Sequence, residues 1–173
     1  QTFFGFAWAL FVPVIQVLVF SVFFGSVLGV SNRVNESAGR ALPYPLFALT
    51  GQIVWNFFKM TVDGAGASLI TNAALIRKIY VPRLMLPLSA LGKPAVDTAV
   101  VFVLMLGVLA WYARDPEGGV ALTASLALSP VILVGTALPA IGIGLIVAAA
   151  TVSYRDLQYV MPFLTSILFF VTP

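Results

Sequence analysis

Residues 95–112 read AVDTAVVFVLMLGVLAWY, from Ala95 through Asp97, Phe102 and Met105 to Trp111 and Tyr112. Asp97, near the start, is the one charged residue in the stretch. A helix of this length reaches about 27 Å at 1.5 Å per residue, close to the hydrocarbon thickness of a bilayer. A membrane barrel is not expected, because its strands are about 10 residues long with strict in–out alternation. Composition extends the reading to the whole chain. Of 173 residues, 61% are apolar and 9% charged, against about 25% charged in an ordinary soluble domain. Mean hydropathy is +1.06. A soluble core of this size could not hide so much apolar surface. Disorder is excluded, because disordered chains are poor in apolar residues and rich in charge. A disulfide scaffold is excluded by the absence of cysteine. With neither cysteine nor histidine, the soft metal ligands and the commonest general base are missing. No metal site and no catalytic set is expected.

The flanks of this segment carry unequal charge. Before it, residues 73–93 hold Arg77, Lys78, Arg83 and Lys93 and no acid. After it, residues 113–119 hold Arg114 against Asp115 and Glu117. Further out, 31–44 carries Arg33, Arg40 and Glu36, and 153–157 carries Arg155 and Asp156. Lys and Arg concentrate on the cytoplasmic side of membrane proteins, which places 73–93 there. Alternation then makes the start of the chain and 153–157 cytoplasmic, and 31–44 and 113–119 external.

Four more apolar runs accompany the first. The expected fold is an all-α integral membrane bundle in one transmembrane domain over 1–173. Its five spans lie at about 3–30, 45–70, 95–112, 120–152 and 157–173, with a cytoplasmic loop at 72–93. The fourth run is too long for one straight span. Pro130 and Pro139 lie in it and can kink a helix, so it is expected to begin at the interface and cross from Val131. The first run has no basic leader and is too long for a signal-peptide core. The chain starts at Gln1 and stops at Pro173 inside an apolar run, so it reads as an internal piece of a longer protein with a truncated fifth span.

Three groups of residues could carry function. The first is the basic, amphipathic stretch from Asn72 to Pro87, with Pro82 and Pro87 as breakers. It suits a short helix holding anionic lipid at the membrane surface, and equally a docking element for a cytoplasmic partner. The second is Lys59 and Asp63, four residues apart and so on one helix face. Lys59 falls near mid-bilayer, where a charge costs at least about 2.5–3.5 kcal/mol and must face protein or water. The pair either lines a pathway or ties packed helices together. Asp97 is expected at the interface, answering Arg83 or Lys93 locally. The third group is aromatic. Phe3, Phe4, Phe6, Trp8 and Phe11 open the first run, Phe20, Phe23 and Phe24 follow, and Tyr154, Tyr159, Phe163, Phe169 and Phe170 mark the last. Trp8, Tyr112, Tyr154 and Tyr159 stand where an interfacial aromatic belt lies. The alternative is a conduit whose ring faces stack on sugars or line a lipid path. Gly25 with Gly29, Gly64 with Ser68 and Gly144 with Ala148 are small-residue pairs that let helices approach closely. No phosphate-binding glycine loop occurs, so ATP is not bound in that way.

In order along the chain, several stretches resemble one family. They are Trp55-Asn56-Phe57-Phe58, Ser68 through Asn72 to Arg83, Leu86-Pro87-Leu88-Ser89, Val96-Asp97, Gly142-Ile143-Gly144, Val152-Ser153-Tyr154-Arg155-Asp156 and Tyr159-Val160-Met161-Pro162-Phe163. Gln1-Thr2, Gly5 to Leu10 and Pro13 match the family's first span. The family is the permease subunit of type-2 ABC exporters of O-antigen, teichoic acid and capsular polysaccharide. The resemblance implies a six-span subunit in the bacterial plasma membrane. It implies that the protein works as a dimer with a second copy of itself and two copies of an ABC ATPase subunit. ATP and Mg then sit on that partner, with no cofactor and no catalysis in this chain. Membrane lipids and a lipid-linked or otherwise anchored polysaccharide are the other expected partners, and nucleic acid is not among them.

The family's cytoplasmic loop after the second span couples to the ATPase. This role maps onto Asn72, Leu75, Ile76, Arg77, Lys78, Ile79, Tyr80, Pro82 and Arg83, with a cytoplasmic turn at Tyr154, Arg155 and Asp156. The family's conduit is built largely from the first and fifth spans. Phe4, Trp8, Phe11, Tyr159, Phe163 and Phe170 are its expected lining here. Lys59, Asp63 and Lys93-Pro94 depart from the family pattern. A Lys59 facing the path would attract an anionic or pyrophosphate-bearing substrate. Export of drugs or small lipids on the same fold, and an ATPase-independent carrier or channel, are the rival functions.

Overall fold

The computed structural model describes residues 11, 12, 14–16, 18, 19, 22, 23, 44–78, 80, 82, 84–114 and 128–171. Six helices are bounded among them. They are α1 (Tyr44–Thr71), α2 (Ala73–Lys78), α3 (Met85–Ser89), α4 (Gly92–Tyr112), α5 (Ser129–Ser153) and α6 (Leu157–Val171). The described residues between 11 and 19 are helical as well, and no strand occurs among the described residues. Most of the segment expected as the first span lies outside them, as do residues 31–43 and 115–127, which include the expected start of the fourth run.

Helix α1 covers the second apolar run, and α4 begins at Gly92, three residues before the expected start, so that Lys93 is helical. Pro130 sits in the first turn of α5, where a missing N–H costs nothing because that donor has no intrahelical acceptor. Pro139 and Pro162 are inside α5 and α6. Two stretches, Met85–Trp111 and Ser129–Ser153, are long and apolar enough to cross a membrane. Helix α1 has the length, at 28 residues, but Gln52, Asn56, Lys59 and Asp63 make it more polar. Helix α6 is shorter.

The chain divides into two compact units, Gln1–Ile53 with Asp97–Ser129, and Val54–Val96 with Pro130–Pro173. In the first, Leu46, Leu49 and Ile53 are buried on α1, and Met105 and Leu109 on α4. Spacings of three and four put each set on one helix face.

In the second unit the core is small-residue packing between α1 and α5. Val62, Ala65, Ala140 and Ala148 are buried, with Thr61 and Thr151 beside them. A Cβ built on Gly144 would lie 2.6 Å from the Ala65 Cβ, and one on Gly66 2.6 Å from Val147 Cγ1. Close approach of this kind is what small residues permit where lipid gives helices no hydrophobic reason to associate. Gly64 is looser, with the Ala90 Cβ at 3.5 Å. Two of the buried hydroxyls bond to their own helix: Ser68 Oγ donates to Ala65 O and Thr151 Oγ1 to Val147 O, both at 2.6 Å. Gly144 meets residues 61–65 and Val147 meets Gly66, so α1 and α5 run in the same direction.

Candidate functional site

Helix α6 packs on α1 in the opposite direction. Trp55 meets Phe169 in a tilted ring pair with centres 5.8 Å apart, and Phe58 in another at 5.6 Å along its own helix. One turn further along α1, Lys59 meets Thr165 and the carbonyl of Pro162. The ascending order 55, 59 thus pairs with the descending order 169, 165, 162.

The Lys59 ammonium is fully engaged. It donates to Asp63 Oδ2 at 2.8 Å, to Thr165 Oγ1 at 3.2 Å and to Pro162 O at 3.3 Å. An ammonium has three protons, so every one finds an acceptor. Asp63 Oδ1 in turn lies 3.2 Å from the Thr165 hydroxyl, which also reaches Met161 O at 3.0 Å. Thr165 is 2% exposed, whereas the side chains of Lys59 and Asp63 remain 27% and 20% exposed. The group is a polar brace across an otherwise apolar seam. It satisfies two charges that a membrane interior would penalise singly.

Asn72 is the single residue between α1 and α2. Its side-chain amide and its backbone N–H both donate to Ser68 O, at 2.8 and 3.1 Å. Its own carbonyl accepts from the N–H groups of Leu75 and Ile76, at 3.0 and 3.1 Å. One residue therefore closes α1 and starts α2, satisfying orphan groups of both ends. Helix α2 buries none of its residues. Arg77 and Lys78 stand in its last turn, where cations complement the helix dipole. Leu75 is exposed, Ile76 half-buried, Pro82 exposed, and Tyr80 is 99% exposed. Ile79 and Arg83 lie outside the described residues. Helix α3 follows at once, anchored by the Met85 N–H on Pro82 O at 2.9 Å.

Between α5 and α6, Tyr154, Arg155 and Asp156 form a tight exposed turn. Tyr154 O accepts from Leu157, and Asp156 O accepts from Tyr159 and Val160, which starts α6. Tyr159 and Phe163, four residues apart on one face of α6, are 74% and 65% exposed. Phe11 is also exposed. Phe4 and Trp8 lie outside the described residues, as does the side chain of Phe170.

Sequence reasoning did not find Thr165, Trp55 or Phe169 as partners of the second run. Nothing local marks Thr165. A threonine three residues after a proline suggests only a hydroxyl bonding back to its own helix.

Among the described residues, apolar helices are joined by short turns and one ion pair is braced across a helix seam, an arrangement that suits a helical membrane bundle. Comparison with known proteins gives the nearer class. The chain is similar to the O-antigen export system permease protein RfbA of Myxococcus xanthus, with 27% identity over 99% of this chain and 60% of that protein. Two O-antigen export system permease proteins RfbA of Klebsiella pneumoniae are each 25% identical over 98% of the chain and 60% of their own length. The chain thus spans about 60% of the length of the curated relatives it matches. These similarities agree with the resemblance carried by the motifs, that of a type-2 ABC permease for polysaccharide export. No family model matches, and no solved structure matches.

Proposed function

We propose that the chain is the transmembrane part of an ATP-driven exporter that moves lipid-linked or otherwise anchored polysaccharide across the bacterial plasma membrane. The observation that carries this is similarity to O-antigen export permeases along nearly every residue of the chain.

The membrane setting is supported by the surface. Val103, Trp111, Val131, Val134, Leu138, Ile146 and Val171 are all at least 64% exposed, an apolar exterior that water would not tolerate. It is supported also by helix direction. Helices α1 and α5 are parallel and α6 is antiparallel, as consecutive crossings by the second, fourth and fifth spans require.

In this reading two ATPase subunits, holding ATP and Mg, dock on the α2 surface of a permease homodimer. Arg77, Lys78 and Tyr80 are free to be covered there. Closure of the ATPases presses on α2 and tilts α1 and α4. The exposed rings of Tyr159 and Phe163 line a conduit together with the first span and offer faces to the C–H surfaces of sugars.

The test is purification from native membranes in mild detergent, with co-purifying proteins identified by mass spectrometry. Surface polysaccharide is measured in a deletion strain alongside. A stoichiometric ATPase subunit and loss of surface polysaccharide are expected. An ATPase with polysaccharide intact would mean export of drugs or small lipids, and no ATPase at all a carrier or channel.

A further inference from the structure

The three features that depart from the family pattern, read separately along the sequence, meet in space. Lys59, Asp63, Gly64, Ala90, Lys93 and Pro94 line one cleft of about 390 Å3 in the second unit. The charges there do not balance, since two ammonium groups face a single carboxylate. Lys59 and Asp63 neutralise each other at 2.8 Å, and Thr165 and Pro162 O take the remaining protons of Lys59. Lys93 is different. It is exposed in the first turn of α4, and no described residue bonds to it or pairs with it. The sequence reading assigned anion attraction to Lys59. The geometry moves it to Lys93, because Lys59 has no proton left to offer.

The rest of the lining decides what kind of anion fits. Met60, Gly64, Ala90 and Pro94 present apolar surface, and among the described residues no aromatic ring or hydroxyl lines the cleft. A sugar chain would find no aromatic ring among these residues to stack on, and only the Lys93 ammonium and the Asp63 carboxylate to bond to. An amphiphile with one charged head and a hydrocarbon body finds both a cation and an apolar wall. The volume equals roughly a dozen waters at about 30 Å3 each, room for a phosphate or diphosphate with part of its hydration.

We propose that this cleft binds the anionic phosphate headgroup of a lipid, with Lys93 as counter-ion and the Lys59–Asp63 pair as a fixed neutral wall. The proposal rests on the exporter reading for one choice alone, whether that phosphate belongs to the carrier lipid of the polysaccharide or to an ordinary membrane phospholipid.

The test reconstitutes the protein in phosphatidylcholine nanodiscs doped with either a polyisoprenyl diphosphate or phosphatidylglycerol. Lipid retained after detergent washing is then measured by mass spectrometry. Enrichment of a doped lipid over phosphatidylcholine is expected. It should fall about tenfold in Lys93→Gln, the loss of one charge-assisted hydrogen bond, and return in Lys93→Arg. Thermal stability of Lys93→Gln should match the parent, because the side chain is exposed and bonds to no described residue. Enrichment of the diphosphate alone assigns the site to the carrier lipid, and enrichment of both assigns it to anionic headgroups generally. No enrichment of either, or equal enrichment in Lys93→Gln, overturns the proposal. Surface polysaccharide unchanged by gene deletion, with lipid enrichment intact, would remove the exporter reading and leave the site standing.

Discussion

Gly144 and Ala65 hold α5 against α1 with no room for a methyl group between them: a Cβ on Gly144 would lie 2.6 Å from the Ala65 Cβ. Both neighbours are backbone-fixed, so neither can rotate aside. Gly144→Ala is expected to cost about 1–3 kcal/mol, the range for overpacking a tight contact. Thermal unfolding in detergent reads it. Gly142→Ala is the control, since nothing lies within 4 Å of a Cβ there, and should be neutral or stabilising by up to about 1 kcal/mol, the helix preference for Ala over Gly.

The Lys59–Asp63–Thr165 brace predicts strong non-additivity. Lys59→Met leaves Asp63 charged in an apolar seam, and Asp63→Leu does the same to Lys59. Each single variant should lose about 1–3 kcal/mol, discounted from the cost of breaking a fully buried pair because both groups keep some exposure. Lys59→Met with Asp63→Leu should lose clearly less than the two added together, with a coupling of about 1 kcal/mol or more. Strict additivity would mean that the pair contributes no mutual stabilisation.

Arg77 and Lys78 stand on a helix that buries nothing. Arg77→Glu with Lys78→Glu should therefore remove no core packing and cost at most about 1–2 kcal/mol, from two carboxylates set against the helix dipole. If α2 is the docking surface, the double variant hydrolyses ATP without moving substrate, seen as retained ATPase turnover with lost surface polysaccharide. Full transport in this variant would return the segment to the lipid-holding role.

Thr61 Oγ1 is buried without a hydrogen-bond partner among the described residues. Valine has the same shape and no hydroxyl to leave unsatisfied. Thr61→Val should be neutral or stabilising by up to about 1 kcal/mol. A loss of stability would reveal a partner for the hydroxyl in the assembled protein.

These outcomes also show which parts of the structure were legible in the sequence. The limits of α1 could be read because apolar run length and the Asn72 break are local signals. Lys59 and Asp63 could be paired because four residues along a helix is a fixed geometry. The identity of their third partner could not, since Thr165 is 102 residues from Asp63 and looks like any membrane-helix threonine. Gly144 with Ala148 was found as a packing pair. Gly66 was not, because Gly64 offers the same small-residue pattern from a neighbouring face that turns toward Ala90. Lys93 was read as the end of a loop. Only the early start of α4, with Ala90 packed beside Gly64, places it on the wall that Lys59 shares.

Asn72 belongs to two helices at once, with its amide on Ser68 and its carbonyl on Leu75 and Ile76. Such a joint has no slack. A flexible linker would absorb a displacement of α2 as chain entropy. Here any rotation of α2 must either strain hydrogen bonds in the last turn of α1 or turn α1 with it. A partner that moved the Lys78 end of α2 sideways would therefore turn a crank, putting torque on the 28-residue shaft of α1.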